Sequence, residues 1–191
     1  YVRMDFVRKG REKKERNFKK FRFAVIDPLP ENSRELNADS PFGMGVYIGR
    51  RQFADKPAEL AYYAGVKNTR HEFSWIWIEM QQDQFTLGKN HNLELAHGYG
   101  MHILGMLGYS TMWSTRVRDP INPMGPPAKM EDYDDYVWHV VNEYKDKVKY
   151  WEIWNEPNQT TFWPPKPDPA VYAEMVEAGY KAAKRADPTC T

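Results

Sequence analysis

The residues of this chain best suited to chemistry lie in one run, Tyr150-Trp151-Glu152-Ile153-Trp154-Asn155-Glu156-Pro157-Asn158. It reads as a short strand that ends in a Glu-Pro turn. A carboxylate at the end of a parallel strand sits where a bound ligand can meet it, and a positioned carboxyl can deliver or remove a proton. Pro157 disfavours the helical conformation for the residue before it, so Glu156 is expected to be extended. Asn155 offers both a donor and an acceptor to a ligand hydroxyl. Trp151, Trp154 and Trp163 are expected to desolvate the site, which would raise the Glu156 pKa toward the range useful for protonating a leaving oxygen.

The elements that must position this run come from the rhythm of the chain. Residues 42–49, 66–73, 101–109 and 148–154 read as short apolar strands. Helical patterns fall between and after them, at 57–64, 93–99, 130–147 and 169–186. Tyr133, Tyr136, Val137, Val140, Val141 and Tyr144 recur at helical spacing in the third of these. Gly100 suits a left-handed residue closing the second helix. Four strand–helix units in strict alternation predict a parallel sheet with crossover helices. A doubly wound sheet shares that rhythm, but its phosphate-cradling Gly-rich turn after the first strand is missing. The strand ends carry Arg, Glu, Trp and Tyr instead, as on the active-site face of a barrel. The fold expected is α/β, the first half of a (β/α)8 TIM barrel over residues 42–191.

Residues 1–35 differ. Val2, Met4 and Phe6 alternate with polar residues, as do Phe21, Phe23 and Val25, which predicts a β-hairpin with a long polar connection. The basic run from Arg8 to Lys20 is interleaved with Glu12 and Glu15 and reads as a solvated hairpin tip rather than a site for an acidic partner. A lone hairpin is marginal, so these are expected to be the last strands of a β-sandwich domain. Residues 36–41 form the linker after a stretch containing Pro28 and Pro30. The chain opens inside a strand, at Tyr1, and is expected to be a fragment.

Composition narrows the function classes. Over 191 residues, 41% are hydrophobic and 28% charged, as in a folded domain with a sizeable core. A net charge of +1 argues against nucleic acid as the main partner. The longest apolar runs, such as 101–107, fall short of the ~18 residues a membrane span needs, so no membrane partner is expected. His71, His91, His97, His102 and His139 lack metal-site spacing, and neither a metal nor another cofactor is expected. Cys190 reads as a small buried residue. With 15% aromatic residues, ring faces for sugar stacking are plentiful, although most large rings fill cores.

The Trp154-Asn155-Glu156-Pro157 motif resembles the fourth-strand signature of clan A glycoside hydrolases. The run to Asn158, followed by Phe162-Trp163 and a helix opening near Tyr172, is most similar to family 39 and its relatives, which include β-xylosidases and iduronidases. The resemblance spans residues 42–188. It implies that Glu156 is the acid/base, assisted by Asn155, with Asn158 and Trp163 at the substrate. Gly65-Val66-Lys67-Asn68-Thr69-Arg70 resembles the clan's second strand, whose terminal Arg supports the nucleophile. Arg70 is therefore a second site residue; a structural ion pair with Glu72 or Glu152 is the other reading. Tyr109 and Trp113 look like the aromatic platform for sugar binding, against packing under a Pro-rich loop that contains Pro120, Pro123, Pro126 and Pro127. Trp75 and Glu79 resemble the family's Trp-x-x-x-Glu stretch, which departs here in Met80-Gln81-Gln82. Asn90, where relatives often have Asp, could cap the next helix.

The activity implied is hydrolysis of a β-linked glycoside or polysaccharide by a retaining double displacement, on a carbohydrate substrate. The clan's nucleophile comes from the seventh strand, beyond these residues, so this segment alone is expected to be inactive. A carbohydrate-binding barrel without catalysis is the alternative from another class, and a metal-dependent barrel enzyme a more distant one. An extracellular or periplasmic location follows from the resemblance alone.

Overall fold

The computed structural model describes residues 40, 43–46, 55–117 and 124–191. The expected hairpin over 1–35, the linker over 36–41 apart from Ser40, and both ends of the strand expected over 42–49 lie outside them.

Among the described residues the elements run helix α1 (Asp55–Tyr63), strand β1 (Asn68–Ser74), one-turn helix α2 (Trp75–Ile78), helix α3 (His91–Gly98), strand β2 (His102–Gly108), helix α4 (Met130–Tyr144), strand β3 (Tyr150–Ile153) and helix α5 (Pro169–Ala186). Helix α5 matches its expected span. Helix α4 stops three residues early, because Lys147 and Val148 both turn their N–H groups back to the Tyr144 carbonyl. Four residues are too few for α2 to show a period in sequence.

Local signals set the boundaries. Asn90 caps α3 by accepting the Leu93 N–H at 3.2 Å, and Asp168 caps α5 through the N–H groups of Ala170 and Val171. Pro169 opens α5, where its missing N–H costs nothing. Helices α1 and α3 end alike. Gly65 and Gly100 take φ values of 77° and 67°, and the N–H groups of Gly65, Val66, Gly100 and Met101 return to the carbonyls of Tyr62, Ala61, His97 and Ala96. These paired returns form a Schellman motif that turns each helix straight into the next strand.

The three strands are parallel and lie in the order β1-β2-β3. The order continues at both edges. Gly43 makes a parallel bridge to Asn68 beside β1. Beyond β3, Thr191 donates to the Lys149 carbonyl at 2.7 Å and accepts from the Trp151 N–H at 2.8 Å, the alternation of a parallel ladder. Spatial order therefore follows chain order from Gly43 to Thr191 without reversal. A doubly wound sheet reverses at its switch point. Strands added in one direction with right-handed crossovers keep every helix on one side, which is the winding of a barrel.

That helix side holds the core. Thr69, Phe73, Ile103 and Leu107 are buried on it. Phe73 and Trp151 pack at 5.2 Å between ring centroids over Gly105, where a Cβ would come within 2.5 Å of the indole. A Cβ on Gly179 would come within 2.7 Å of Ile153 Cδ1, so α5 lies directly on β3. Tyrosines of the helices then fasten the strand ends. Tyr136 donates to the Phe73 carbonyl, Tyr133 to Leu107 at 3.0 Å and Tyr172 to Ile153 at 2.9 Å. These carbonyls lie near the strand ends, and that of Leu107 also accepts the Trp154 N–H at 3.0 Å, so the hydroxyls tie the helices to the end of the sheet that carries the site. Among the described residues no helix is long and apolar enough to cross a membrane.

Candidate active site

The register places Arg70, Leu104 and Tyr150 side by side on the face opposite the helices, with Glu72, Met106 and Glu152 forming the next row. Arg70 grips Glu152 with two parallel bonds, from Nε at 2.7 Å and Nη2 at 2.8 Å. Of the two partners open to it in sequence, it takes Glu152. The same Nη2 reaches Asn155 Oδ1 at 2.9 Å, so Arg70 ties the middle of β1 to the turn after β3. Both side chains of the ion pair remain over a third exposed, which limits its contribution to stability to about 0–1 kcal/mol. Its larger effect is to fix the Asn155 amide beside Glu156.

Tyr109 follows β2 directly. It is 7% exposed, with its ring stacked on Phe162 at 5.7 Å and edge-on to Trp154 at 5.4 Å. Burial, and then the Glu72 charge, push the phenol up to about 12, against the opposing influence of Arg70. Tyr109 is thus kept as a neutral phenol.

Glu156 departs from expectation in two respects. Its φ is 45°, in the left-handed region, rather than extended. Pro157 does keep it out of the right-handed helical region, but the chain must reverse here, and the Gln159 N–H closes a turn onto the Glu156 carbonyl at 3.0 Å. Trp154, at φ 69°, begins that reversal. Glu156 is also exposed rather than desolvated by indoles. Trp154 and Trp163 are each 1% exposed and pack edge-on at 5.6 Å. Trp151 lies on the helix side against Phe73. Large rings gain more by filling the layer under the helices than by lining the turn.

The remaining expected residues spread over the same end of the sheet. Asn158 is exposed in the turn after Glu156. Trp163 lies in the core, edge-on to Tyr172 at 5.8 Å. Trp113 is half-buried, edge-on to Trp75 at 5.8 Å, and donates through its indole N–H to the Glu79 carbonyl at 3.0 Å. That bond joins the loops after β1 and β2. Glu79 is buried, with its carboxylate accepting the Trp75 indole N–H at 2.7 Å and the Asp83 N–H at 2.8 Å. Burial pushes its carboxyl up, and the two donors oppose that shift. Phe162 was visible only as a neighbour of Trp163, yet it covers Tyr109 and accepts the Trp154 indole N–H at 2.9 Å. No group of three His, Cys, Asp or Glu among the described residues is arranged to hold a metal ion.

No protein-family model matches the sequence, and no curated protein matches it. Solved structures do. A family 39 glycoside hydrolase from the gut symbiont Bacteroides cellulosilyticus WH2 aligns with a TM-score of 0.57 at 22% identity, over 72% of this chain and 27% of that one. The GH39 enzyme from Xanthomonas axonopodis pv. citri gives 0.58 at 16%, over 76% and 32%. Xylanase 10B from Thermotoga petrophila RKU-1, in complex with xylobiose, gives 0.54 at 17%, over 89% and 53%. The chain spans between about a quarter and about half the length of these proteins. At such identities the likeness is one of fold, and the fold is shared with family 39 enzymes and xylanases.

Proposed function

We propose that this chain forms the N-terminal half of the catalytic barrel of a retaining glycoside hydrolase acting on a β-linked glycoside or polysaccharide, with Glu156 as general acid/base. The observation that carries this reading is the 2.9 Å contact of Arg70 with Asn155, which gathers β1, β3 and the exposed Glu156 carboxyl at one end of the sheet. The fold shared with glycoside hydrolases supports it. Residues 1–35 would close a preceding β-sandwich domain, and an extracellular or periplasmic location belongs to the same reading.

In the first step Glu156 protonates the departing glycosidic oxygen while a second carboxylate attacks the anomeric carbon. In the second step Glu156 takes a proton from the water that releases the sugar. The attacking carboxylate must lie ~5–5.5 Å from Glu156, and the resemblance assigns it to the seventh strand, beyond these residues. Glu79 is bound to Trp75 and Asp83 in the core, and neither it nor Glu72 takes that role, so this chain by itself is inactive. Asn155, and Arg70 through it, would hold a sugar hydroxyl next to the reacting bond. Glu156→Gln in the full-length protein keeps the size of the side chain and removes its proton. Turnover of an unactivated glycoside should fall by about 10²–10⁴-fold; wild-type turnover would reject the assignment.

A further inference from the structure

Arg70 and Glu152 do not stand opposite each other. In the register Arg70 lies level with Leu104 and Tyr150, while Glu152 lies one row nearer the strand ends, level with Glu72 and Met106. The pair also spans two strand spacings, ~9–10 Å, because β2 runs between β1 and β3. The two long side chains meet only by leaning across β2. Met106, the β2 residue of that row, is fully buried although it belongs to the open face, as a residue crossed by such a pair would be.

What the pair fixes is a direction. The guanidinium is planar, so two parallel bonds, Nε to Glu152 Oε2 at 2.7 Å and Nη2 to Oε1 at 2.8 Å, set both its plane and its rotation. The second hydrogen of Nη2 then has one direction left, and Asn155 Oδ1 accepts it at 2.9 Å. An arginine only donates, so the carbonyl end of the Asn155 amide must face it, and the NH2 end is turned away from it. Stability alone gives little reason for the arrangement, since both side chains of the ion pair are over a third exposed.

From this geometry we infer that Glu152 is a positioning residue for glycoside cleavage: its fork on Arg70 aims the remaining Nη2 hydrogen at Asn155, and thereby decides which end of that amide meets the sugar hydroxyl beside the reacting bond. The inference rests on the functional reading above, and in that reading Glu152 acts through Arg70 and Asn155 rather than on the substrate. In glycoside hydrolysis, hydrogen bonds to the sugar 2-hydroxyl strengthen in the transition state. An Asn155 amide released to turn should therefore cost turnover more than binding.

The test is a double-mutant cycle in the full-length protein, with Glu152→Gln, Asn155→Ala and the pair. The substrates are the member of a panel of nitrophenyl β-glycosides that the wild type cleaves fastest, and its 2-deoxy analogue. Glu152→Gln keeps the reach but sets an NH2 group against one guanidinium N–H, so the fork opens. It should lower kcat/KM on the parent glycoside by about three- to tenfold, the effect of one hydrogen bond, with the loss mainly in kcat. It should leave the deoxy analogue unchanged and add nothing in the Asn155→Ala background. Glu152→Asp keeps the charge but withdraws the carboxylate from a span that needs two long side chains, and should give a loss of the same selectivity even if Glu152→Gln folds poorly. Equal losses on both substrates, additive losses in the cycle, or wild-type kinetics in both Glu152 variants would overturn the positioning role while leaving the functional reading intact. A wild-type protein that cleaves none of the panel would overturn both.

Discussion

On the helix-covered face of the sheet, Thr69, Phe73, Ile103 and Leu107 are buried. On the alternate positions Arg70, Glu72, Leu104 and, on β3, Tyr150 face the other way and are exposed, while Met106 between Glu72 and Glu152 is the buried exception. The two faces share backbone, register and hydrogen bonds, and differ only in the parity of the residue. Parallel sheets are rarely bare on one side, and here the bare side mixes Leu104 at 37% exposure and Tyr150 at 52% with a guanidinium and carboxylates. The buried parity supplies the packing that holds the strand ends in place, and the open parity displays the groups able to meet a ligand. In the barrel proposed above, the open face would be the interior.

The largest expected effect follows from that open face. Residues 1–191 expressed alone should be molten, aggregated or self-associated, because an uncovered apolar surface and open strand edges recruit other chains. Sedimentation and calorimetry showing a monomer that melts cooperatively would contradict this. Next come two substitutions in the full-length protein, one per face. Phe73→Ala should destabilise it by about 3–5 kcal/mol. Leu104→Ala should cost about 2–5 kcal/mol if its face is interior, but only about 0.5 kcal/mol or less if that face is true surface. Denaturant melts of the pair measure the contrast directly.

A third expectation separates chemistry from packing on the open face. Arg70→Met should lower turnover strongly while shifting stability by about 1 kcal/mol or less, since the ion pair it breaks is partly exposed. A mutant that unfolds outright, with wild-type specific activity in its folded fraction, would make Arg70 structural only.

The smallest effect belongs to the covered face. Asn90 Nδ2 lies 3.0 Å from His71 Nε2. Because Asn90 Oδ1 caps α3, its NH2 donates and the imidazole nitrogen must be unprotonated. Burial lowers the His71 pKa, whereas the unfolded chain titrates near ~6.5. On acidification the unfolded state therefore takes up this proton first. The contribution of neutral His71 is fully present above about pH 6.5 and is lost as pH falls through the lower folded value. His71→Gln keeps an acceptor for Asn90 but does not titrate, and it should flatten this limb of Tm against pH. An unchanged slope would remove His71 as its source.

Legibility of the molecule in its sequence followed the range of the forces involved. Helices α3, α4 and α5, the cap at Asn90 and the glycine at position 100 rest on local periodicity and turn chemistry, and were readable. The parallel order was readable from strand–helix alternation. The conformation of Glu156 was not: Pro157 excludes one region of backbone space without choosing among the others, and the reversal set by the turn to Gln159 decided it. Nor was the direction of the indoles readable. Trp151, Trp154 and Trp163 adjoin the acidic residue in sequence, but Trp154, at positive φ, and Trp163 are buried in the core, and strand parity sets Trp151, half-buried, against it. The partner of Arg70 lies 82 residues away, so sequence left Glu72 and Glu152 both open until register chose.

The role of Glu156 is tested most directly by chemical rescue of Glu156→Ala in the full-length protein. A dinitrophenyl β-glycoside needs little acid assistance, so its first step should survive and the glycosyl-enzyme intermediate should accumulate, visible as a burst. Added azide should then restore turnover, because it attacks without a general base, and the product should be the β-glycosyl azide, formed on the side Glu156 occupies in the wild type. An unactivated glycoside should show the full loss of about 10²–10⁴-fold and no burst. Failure of azide to rescue, or an α-glycosyl azide product, would show that Glu156 is not the acid/base of a retaining site.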